Sequence, residues 1–241
     1  TESYRLTDTL NVDVNLQNAK AYCMLQEYKI SVNRYEALKA MGDRSFTTLY
    51  YLGVSQYADN WPYGARDNLL EAHKKNPMDV NVLYYLAKAC ARSSWKEEGI
   101  AYMNKAFDMV VPTDSMMIRL YDGLLECYKF HTKADPYEKI EVMKEAYSYT
   151  KKYTLFYQIA EIYDYQKDYV NAVHYYEKYM ALVPKNKQAA LDSEGNPLPN
   201  ADTMYQKARR RVEKIKVEDF FRNGAHDDYF EPKVIRTQTK K

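Results

Sequence analysis

A pattern of small residues with a 34-residue period constrains the fold of this chain more than any other feature of its sequence. In one copy, Gly53 is followed by Ala65 twelve positions later, then by Ala72, and the copy ends at Pro77. Three further copies follow the same spacing. They are Ala19, Ser31, Tyr35 and Leu38; Ala87, Gly99, Met103, Ala106 and Pro112; and Ala160, Ala172, Tyr176, Tyr179 and Pro184. A period of this length is typical of an elongated helical repeat protein.

The spacing within each copy predicts two antiparallel helices. Small residues twelve positions apart cannot usefully share one helix face, but they suit two helices that pack too closely for large side chains. Large residues four and seven positions after the second small residue form the buried stripe of the second helix. The proline then ends the copy, because it cannot continue a helix.

This helix–turn–helix repeat resembles the tetratricopeptide repeat (TPR) family. The resemblance is carried by residues at the family's apolar–small pair, its two aromatic positions, its small positions on the second helix and its terminal proline. These are Leu52-Gly53, Leu86-Ala87 and Ile159-Ala160; Tyr22 and Tyr163; Tyr28 and Tyr169; Ala65, Ala172, Ala72 and Ala106; and Pro77 and Pro184. The resemblance implies an all-α fold, a right-handed α-α superhelical solenoid of about five helix–turn–helix repeats with a C-terminal capping helix.

The period also predicts how the chain is divided. Residues 1–11 resemble the end of a preceding repeat, and residues 12–186 form the TPR array. Its repeats are 12–45, 46–79, 80–114, 115–152 and 153–186. The fourth repeat fits least well, because Leu125 stands where a small residue is expected and the following turn is long. We therefore expect a locally displaced helix pair in that repeat.

The segment after the repeats predicts a loop, a last helix and a tail. Residues 187–202 are rich in turn-forming residues, residues 203–222 have helical periodicity, and residues 223–241 have neither regular pattern. The apolar positions of the last helix are Met204, Ala208, Val212 and Ile215. Its run of three arginines alone would suggest nucleic-acid binding, but three acidic residues follow closely. We therefore interpret this helix as a cap over the last repeat.

Composition and motifs argue against several classes of function. The chain has 35 basic and 33 acidic residues, a net charge of +2, so no excess of charge would attract nucleic acid. No apolar run approaches the roughly 18 residues of a membrane helix. There is no glycine-rich phosphate loop, no catalytic arrangement and no metal-ligand spacing, and the nearest approach to a metal cluster is GAHDD at 224–228. We predict a non-enzymatic protein without metal or cofactor.

In a TPR solenoid the first helices line the concave face, which implies where a partner binds. Reading the first helices in register places ten residues on that groove. They are Lys20, Tyr50, Tyr57, Tyr84, Lys88, Asp122, Glu126, Tyr157, Glu161 and Asp164. The first half of this groove is then aromatic and basic and the second half acidic, and Tyr50 is expected to stack with Tyr84. An ordinary solvated face with half-buried rings explains the same residues equally well.

Two other residue types lead to predictions about packing. Trp61 and Trp95 lie 34 positions apart at inter-helix turns, either within the core or on an exposed edge that binds a second partner. Cys23, Cys90 and Cys127 fall on first helices. Packed helix axes lie about 8–10 Å apart, beyond the Cα separation of roughly 7 Å that a disulfide tolerates. We therefore expect three buried free thiols.

These observations favour a scaffold that binds a peptide or helix of a partner protein in the groove. The alternative is a carbohydrate-binding helical-repeat protein of a bacterial cell envelope, motivated by the 26 tyrosines, whose rings could serve as sugar platforms. The chain begins at Thr1 and not at methionine, so we expect that a signal, an anchor or more protein precedes it. The sequence leaves the cellular compartment undetermined but favours the bacterial envelope over the cytoplasm.

Overall fold

The computed structural model describes residues 11–188 and 203–223. Every regular element among these residues is a helix. The helices are α1 Val12–Met24, α2 Tyr28–Ala40, α3 Phe46–Ala58, α4 Pro62–Lys75, α5 Val80–Ala91, α6 Lys96–Asp108, α7 Asp114–Phe130, α8 Pro136–Thr150, α9 Thr154–Tyr165, α10 Tyr169–Leu182, α11 Lys185–Gln188 and α12 Thr203–Asn223. The predicted all-α helical-repeat fold is confirmed.

The chain forms two compact units, which divide between α7 and α8. Unit 1 ends at Ala134 and unit 2 begins at Asp135, so the division falls inside the span 115–152 that we assigned to the fourth repeat. In unit 1, α1 to α6 pack as successive antiparallel pairs, and α7 packs on both α5 and α6. In unit 2, α9 packs on α8 and α10, and α12 packs on α10.

Local sequence explains where many helices begin. A side-chain oxygen just before the helix accepts a hydrogen bond from a backbone N–H of the first turn, which otherwise lacks a partner within the helix. The capping residues are Asn11, Ser45, Asp79, Thr113, Asp135 and Asp168. Pro62 and Pro136 occupy the first positions of α4 and α8, where the missing N–H of proline costs no hydrogen bond.

The close contact between small residues, predicted from the spacing, is present in unit 1. A methyl group placed on Gly53 would lie 2.5 Å from Cγ of Leu69 and 3.1 Å from the carbonyl oxygen of Ala65. A methyl group on Gly99 would lie 2.8 Å from the carbonyl oxygen of Ala87. These separations are shorter than normal packing distances, so the two helices of each pair can approach this closely only with glycine at these positions.

The core of unit 2 includes three of the four apolar positions predicted for the last helix. Ala208, Val212 and Ile215 of α12 are buried in one cluster with Tyr179 of α10. Met204, the fourth predicted position, is 40% exposed. The apolar face of α12 therefore covers α10 from Ala208 onward, and its first turn lies outside this contact.

The three cysteines are buried free thiols, as predicted. Cys23 lies on α1, Cys90 on α5 and Cys127 on α7. Burial raises the pKa of Cys90 to about 11 and that of Cys127 to about 12. Because the thiolate is the reactive form, these two thiols are poorly reactive near neutral pH.

Some sequence predictions lie outside the described residues. Of the predicted loop at 187–202, only Lys187 and Gln188 are described, and they belong to α11. Of the predicted tail at 223–241, only residue 223 is described, so the GAHDD segment at 224–228 also lies outside the described residues. Of the helices at 11–188 and 203–223, none combines the length and the apolar character needed to cross a bilayer.

Candidate binding site on the first helices of unit 1

Six side chains on α3, on α7, and on or just after α5 form a connected group in unit 1, which we name the Glu126 cluster. Its members are Tyr57, Tyr84, Lys88, Arg92, Arg119 and Glu126. Three of them occur at intervals of four residues on and just after α5, so they follow one side of that helix. Tyr57 lies in the last turn of α3, and Arg119 and Glu126 lie two turns apart on α7.

The carboxylate of Glu126 accepts hydrogen bonds from two helices. The hydroxyl of Tyr57 donates to Oε1 at 2.5 Å, and Nε of Arg92 donates to the same oxygen at 2.6 Å. Nζ of Lys88 lies 3.0 Å from Oε2. Partial burial acts to raise the pKa of Glu126, but the bond from Tyr57 and the charges of Lys88 and Arg92 outweigh it and lower the pKa overall. Glu126 is therefore ionised near neutral pH.

The cations of the cluster lie against tyrosine rings. The guanidinium carbon of Arg92 is 4.4 Å from the ring centre of Tyr57, and that of Arg119 is 4.4 Å from the ring centre of Tyr84. Nζ of Lys88 lies 5.1 Å and 4.9 Å from the same two rings. These distances allow cation–π attraction. The tyrosine rings thus hold three cations near one another at the surface of the unit.

The cluster carries a surplus of positive charge. Lys88, Arg92 and Arg119 contribute three positive charges and Glu126 one negative charge, which leaves a net charge of +2. Arg119 donates to the neutral Oδ1 of Asn81 at 2.8 Å. The side chains of Lys88 and Glu126 are 16% and 18% exposed, and that of Arg92 is 32% exposed. The positive charge is therefore accessible from solvent.

Four of the ten residues predicted for the groove belong to this cluster: Tyr57, Tyr84, Lys88 and Glu126. The arrangement of their charges differs from the expectation. The sequence places Lys88 in the basic half of the predicted groove and Glu126 in its acidic half, but in the structure the two side chains pair with each other. The basic and acidic halves of the predicted groove are thus not separate within unit 1.

The expected stacking of Tyr50 on Tyr84 is replaced by a different contact. Tyr50 lies parallel to Phe46, with ring centres 5.9 Å apart, and meets the ring of Tyr85 at 6.3 Å with an angle of 69° between the planes. Tyr84 also meets Tyr85, with ring centres 5.3 Å apart. Adjacent residues project from different sides of a helix, so Tyr85 takes the place next to Tyr50 that was assigned to Tyr84.

Two further predicted residues of unit 1 are not members of the cluster. Lys20 of α1 is partly buried, with Nζ 5.4 Å from the ring centre of Tyr51. Asp122 is partly buried on α7, one turn before Glu126. Lys20 is thus a further cation that lies against a tyrosine ring.

In unit 2, two of the three predicted groove residues stabilise the fold. Tyr157 is buried, with ring centres 5.6 Å from Tyr176 and 5.3 Å from Tyr179. Asp164 accepts two hydrogen bonds, at 2.6 Å and 2.7 Å, from Arg211 of α12. Glu161 is exposed. Asp164 therefore helps to attach the last helix to α9.

Sequence reasoning missed two members of the cluster, Arg92 and Arg119. Helical spacing could have found both. Arg92 follows Lys88 by four residues and Arg119 precedes Glu126 by seven, so each shares a helix side with a residue that was identified.

The two tryptophans have different surroundings. Trp61 is 50% exposed, and its ring covers Gly64, where an added methyl group would lie 2.8 Å from the ring. Trp95 is partly buried, with the guanidinium carbon of Arg66 3.7 Å from its ring centre and Tyr63 against it at 6.0 Å. Trp61 therefore forms an exposed edge, and Trp95 is covered by Arg66.

Across the described part of the chain, no three His, Cys, Asp or Glu side chains are grouped as metal ligands.

Comparison with known proteins shows similarity of fold. No protein-family model matches the sequence, and no curated protein matches it. YrrB, described as a TPR protein with an unusual peptide-binding site, matches with a TM-score of 0.58 and 12% identity over 76% of this chain and 92% of its own. PilF of Pseudomonas aeruginosa matches with a TM-score of 0.53 and 13% identity over 90% and 94%. Yeast Tom70 matches with a TM-score of 0.52 and 14% identity over 92% of this chain and 43% of Tom70. The chain therefore has the tetratricopeptide repeat fold.

Proposed function

We propose that this chain is a non-enzymatic protein-interaction scaffold that binds a segment of a partner protein at the Glu126 cluster. The observation that carries the proposal is a solvent-accessible group of three cations on tyrosine rings, contributed by first helices of successive repeats. The fold supports it by analogy, because YrrB shares the fold and is described as having a peptide-binding site.

The chemistry of the cluster favours a segment with acidic side chains. Arg92 and Arg119 present planar guanidinium groups, which bind carboxylates through paired hydrogen bonds. The buried rings of Tyr57 and Tyr84 lie beneath these guanidinium groups and help to position them. A surplus of positive charge also accelerates the encounter with an acidic segment, and this effect weakens as salt increases.

The experiment that tests this proposal removes the two guanidinium groups. The chain is immobilised, a captured partner is identified, and its affinity is measured for wild type and for Arg92→Gln/Arg119→Gln. We expect the double variant to bind at least about tenfold more weakly, which corresponds to about 1.4 kcal/mol. Arg44→Gln is the matched control, because Arg44 is an exposed arginine of unit 1 that pairs with Glu71 outside the cluster. Equal binding by all three proteins would show that the partner binds elsewhere.

The carbohydrate-binding alternative gains no support from the comparisons. A sugar platform needs an exposed ring face. Tyr57, Tyr84 and Tyr157 are only 7%, 9% and 8% exposed. These tyrosines of the predicted groove therefore serve packing and hydrogen bonding more than open stacking.

A further inference from the structure

We propose that Glu126 occupies, in the free protein, the place of a partner's carboxylate, and that an acidic segment binds unit 1 by displacing Glu126 from Lys88 and Arg92. The inference rests on the function proposed above. It adds the chemistry of the partner, an acidic peptide segment, and a competitor that belongs to the chain itself.

The geometry supports a carboxylate site that exists independently of Glu126. Lys88 and Arg92 lie one helical turn apart, and the hydroxyl of Tyr57 comes from the neighbouring α3. Like charges four residues apart on one side of a helix repel each other, so this arrangement is more stable with an anion between them. Glu126 reaches the site from α7 and supplies that anion.

Displacement requires the carboxylate of Glu126 to move into solvent. Its side chain is 18% exposed, so a change of rotamer can bring the carboxylate into water. Arg92 is 32% exposed and is the side from which a second carboxylate can approach.

The net positive charge of the cluster determines which kind of segment can take the place of Glu126. Even with Glu126 in place, the cluster has a net charge of +2, and Arg119 stands on the ring of Tyr84. A segment with two acidic residues can contact Arg119 with one and replace Glu126 with the other. A basic segment would meet three cations and be repelled.

The test measures the affinity of the full chain for synthetic peptides by fluorescence anisotropy. The probe is a capped, labelled peptide of repeated Glu-Tyr-Gly, and the matched peptides carry Gln or Lys in place of Glu. We expect wild type to prefer the acidic peptide, and Glu126→Gln to bind it about tenfold more tightly because the competing charge is removed. Adding Arg92→Gln should remove this gain. Glu71→Gln is the control, because Glu71 is another arginine-bonded carboxylate of unit 1 and should leave the affinity unchanged.

A second measurement on the wild-type chain distinguishes displacement from a structural role. In the free protein the pKa of Glu126 is below its ordinary value. If the acidic peptide displaces Glu126, NMR titration of its carboxyl carbon should show the pKa rising when the peptide is bound. This readout needs no variant, so it remains decisive if Glu126→Gln fails to fold, which circular dichroism would reveal.

Two results would overturn the inference. One is a folded Glu126→Gln chain that binds the acidic peptide no better than wild type. The other is a Glu126 pKa that stays the same when the acidic peptide binds. Either result would make Glu126 a fixed link between α7 and α5, while the proposed function would still be decided by the capture experiment with Arg92→Gln/Arg119→Gln.

Discussion

Glu126 in unit 1 and Glu161 in unit 2 are the acidic residues that the sequence pattern places directly after the small position of a first helix. Their surroundings differ. Glu126 receives hydrogen bonds and charge from α3 and α5, which lower its pKa. Glu161 is exposed, yet partial desolvation raises its pKa and the nearby Asp164 carboxylate adds to the effect. The strong arginine pair of unit 2 is made by Asp164 instead.

The position of a residue in its repeat therefore determines where it lies on its helix. It does not determine which side chains pair with it. In unit 1 the neighbouring first helix α5 provides the cations. In unit 2 they come from α12, which belongs to no repeat. The same kind of acidic residue therefore contributes to a candidate binding surface in one unit and to the attachment of the capping helix in the other.

The largest effect should come from weakening the attachment of α12. Ile215 is 2% exposed in the core of unit 2, so Ile215→Ala should lower the free energy of unfolding by about 3 kcal/mol. Met204→Ala is the control, because Met204 is 40% exposed on the same helix and should change stability by less than about 0.5 kcal/mol.

Both tryptophans lie in unit 1, which gives this measurement a way to separate the units. Urea unfolding followed by circular dichroism reports on both units, and tryptophan fluorescence reports on unit 1. We expect Ile215→Ala to shift the circular dichroism transition more than the fluorescence transition. Equal shifts would show that α12 stabilises the whole chain and not unit 2 alone.

The second largest effect concerns the helix pairs of unit 1. Gly99→Ala should destabilise the chain by about 2 kcal/mol, because the added methyl group would lie 2.8 Å from the carbonyl oxygen of Ala87. The loss should appear in the fluorescence transition. Asn104→Ala, at an exposed position of α6, should have little effect or stabilise slightly. An unchanged midpoint for Gly99→Ala would mean that the helices can separate without cost.

The ion pair that attaches α12 should be stronger than an exposed pair on the same helix. A double-mutant cycle with Asp164→Asn and Arg211→Gln should give a coupling of about 1.5 kcal/mol, since these side chains are only 15% and 29% exposed. The control cycle with Arg209→Gln and Glu213→Gln should give about 0.4 kcal/mol, because those side chains are 60% and 59% exposed. Equal couplings would remove the special role of Asp164.

A smaller effect is expected at the turns inside the repeats, one in each unit. Gln26 and Lys167 have positive φ angles of 63° and 61°, which glycine adopts without strain. Gln26→Gly and Lys167→Gly should each stabilise the chain by roughly 0.5–1 kcal/mol. Gln166→Gly is the control, because Gln166 has a φ of −76° and glycine offers no relief there. If Gln26→Gly and Lys167→Gly unfold at lower temperatures than wild type, the positive φ angles at these turns are not a source of strain.

The smallest effect, which tests the difference between Glu126 and Glu161 directly, is on the pH dependence of stability. The folded pKa of Glu126 lies below its ordinary value of 4.5, so its contribution is present above that pH and is lost as pH falls through the folded pKa. The folded pKa of Glu161 lies above 4.5, so ionisation of Glu161 lowers stability as pH rises through that value.

The measurement is thermal unfolding as a function of pH. Glu126→Gln should reduce the loss of stability on acidification, and Glu161→Gln should remove a decrease that occurs as pH rises above 4.5, the ordinary value for both groups. Identical profiles for the two variants would mean that the folded protein shifts the pKa values of Glu126 and Glu161 in the same direction.

The helical framework follows from the spacing of residues along the chain. The spacing of Gly53 with Ala65 and of Ala87 with Gly99 predicted helix pairs in close contact, and these contacts are present. The apolar spacing of the last helix predicted three of its buried residues, and the positions of the cysteines predicted free buried thiols. Burial depends on the local spacing of small and apolar residues, and that spacing can be read directly from the sequence.

The pairing of charged side chains, in contrast, depends on how the helices pack. Arg92 meets Glu126 across 34 residues, and Arg211 meets Asp164 across 47. Long charged side chains can reach several neighbours, and the partner that lies within about 3 Å depends on how closely the helices pack and which rotamers fit. The period of the sequence carries neither of these quantities, so the Glu126 cluster and the attachment of α12 emerge only when the helices are packed together.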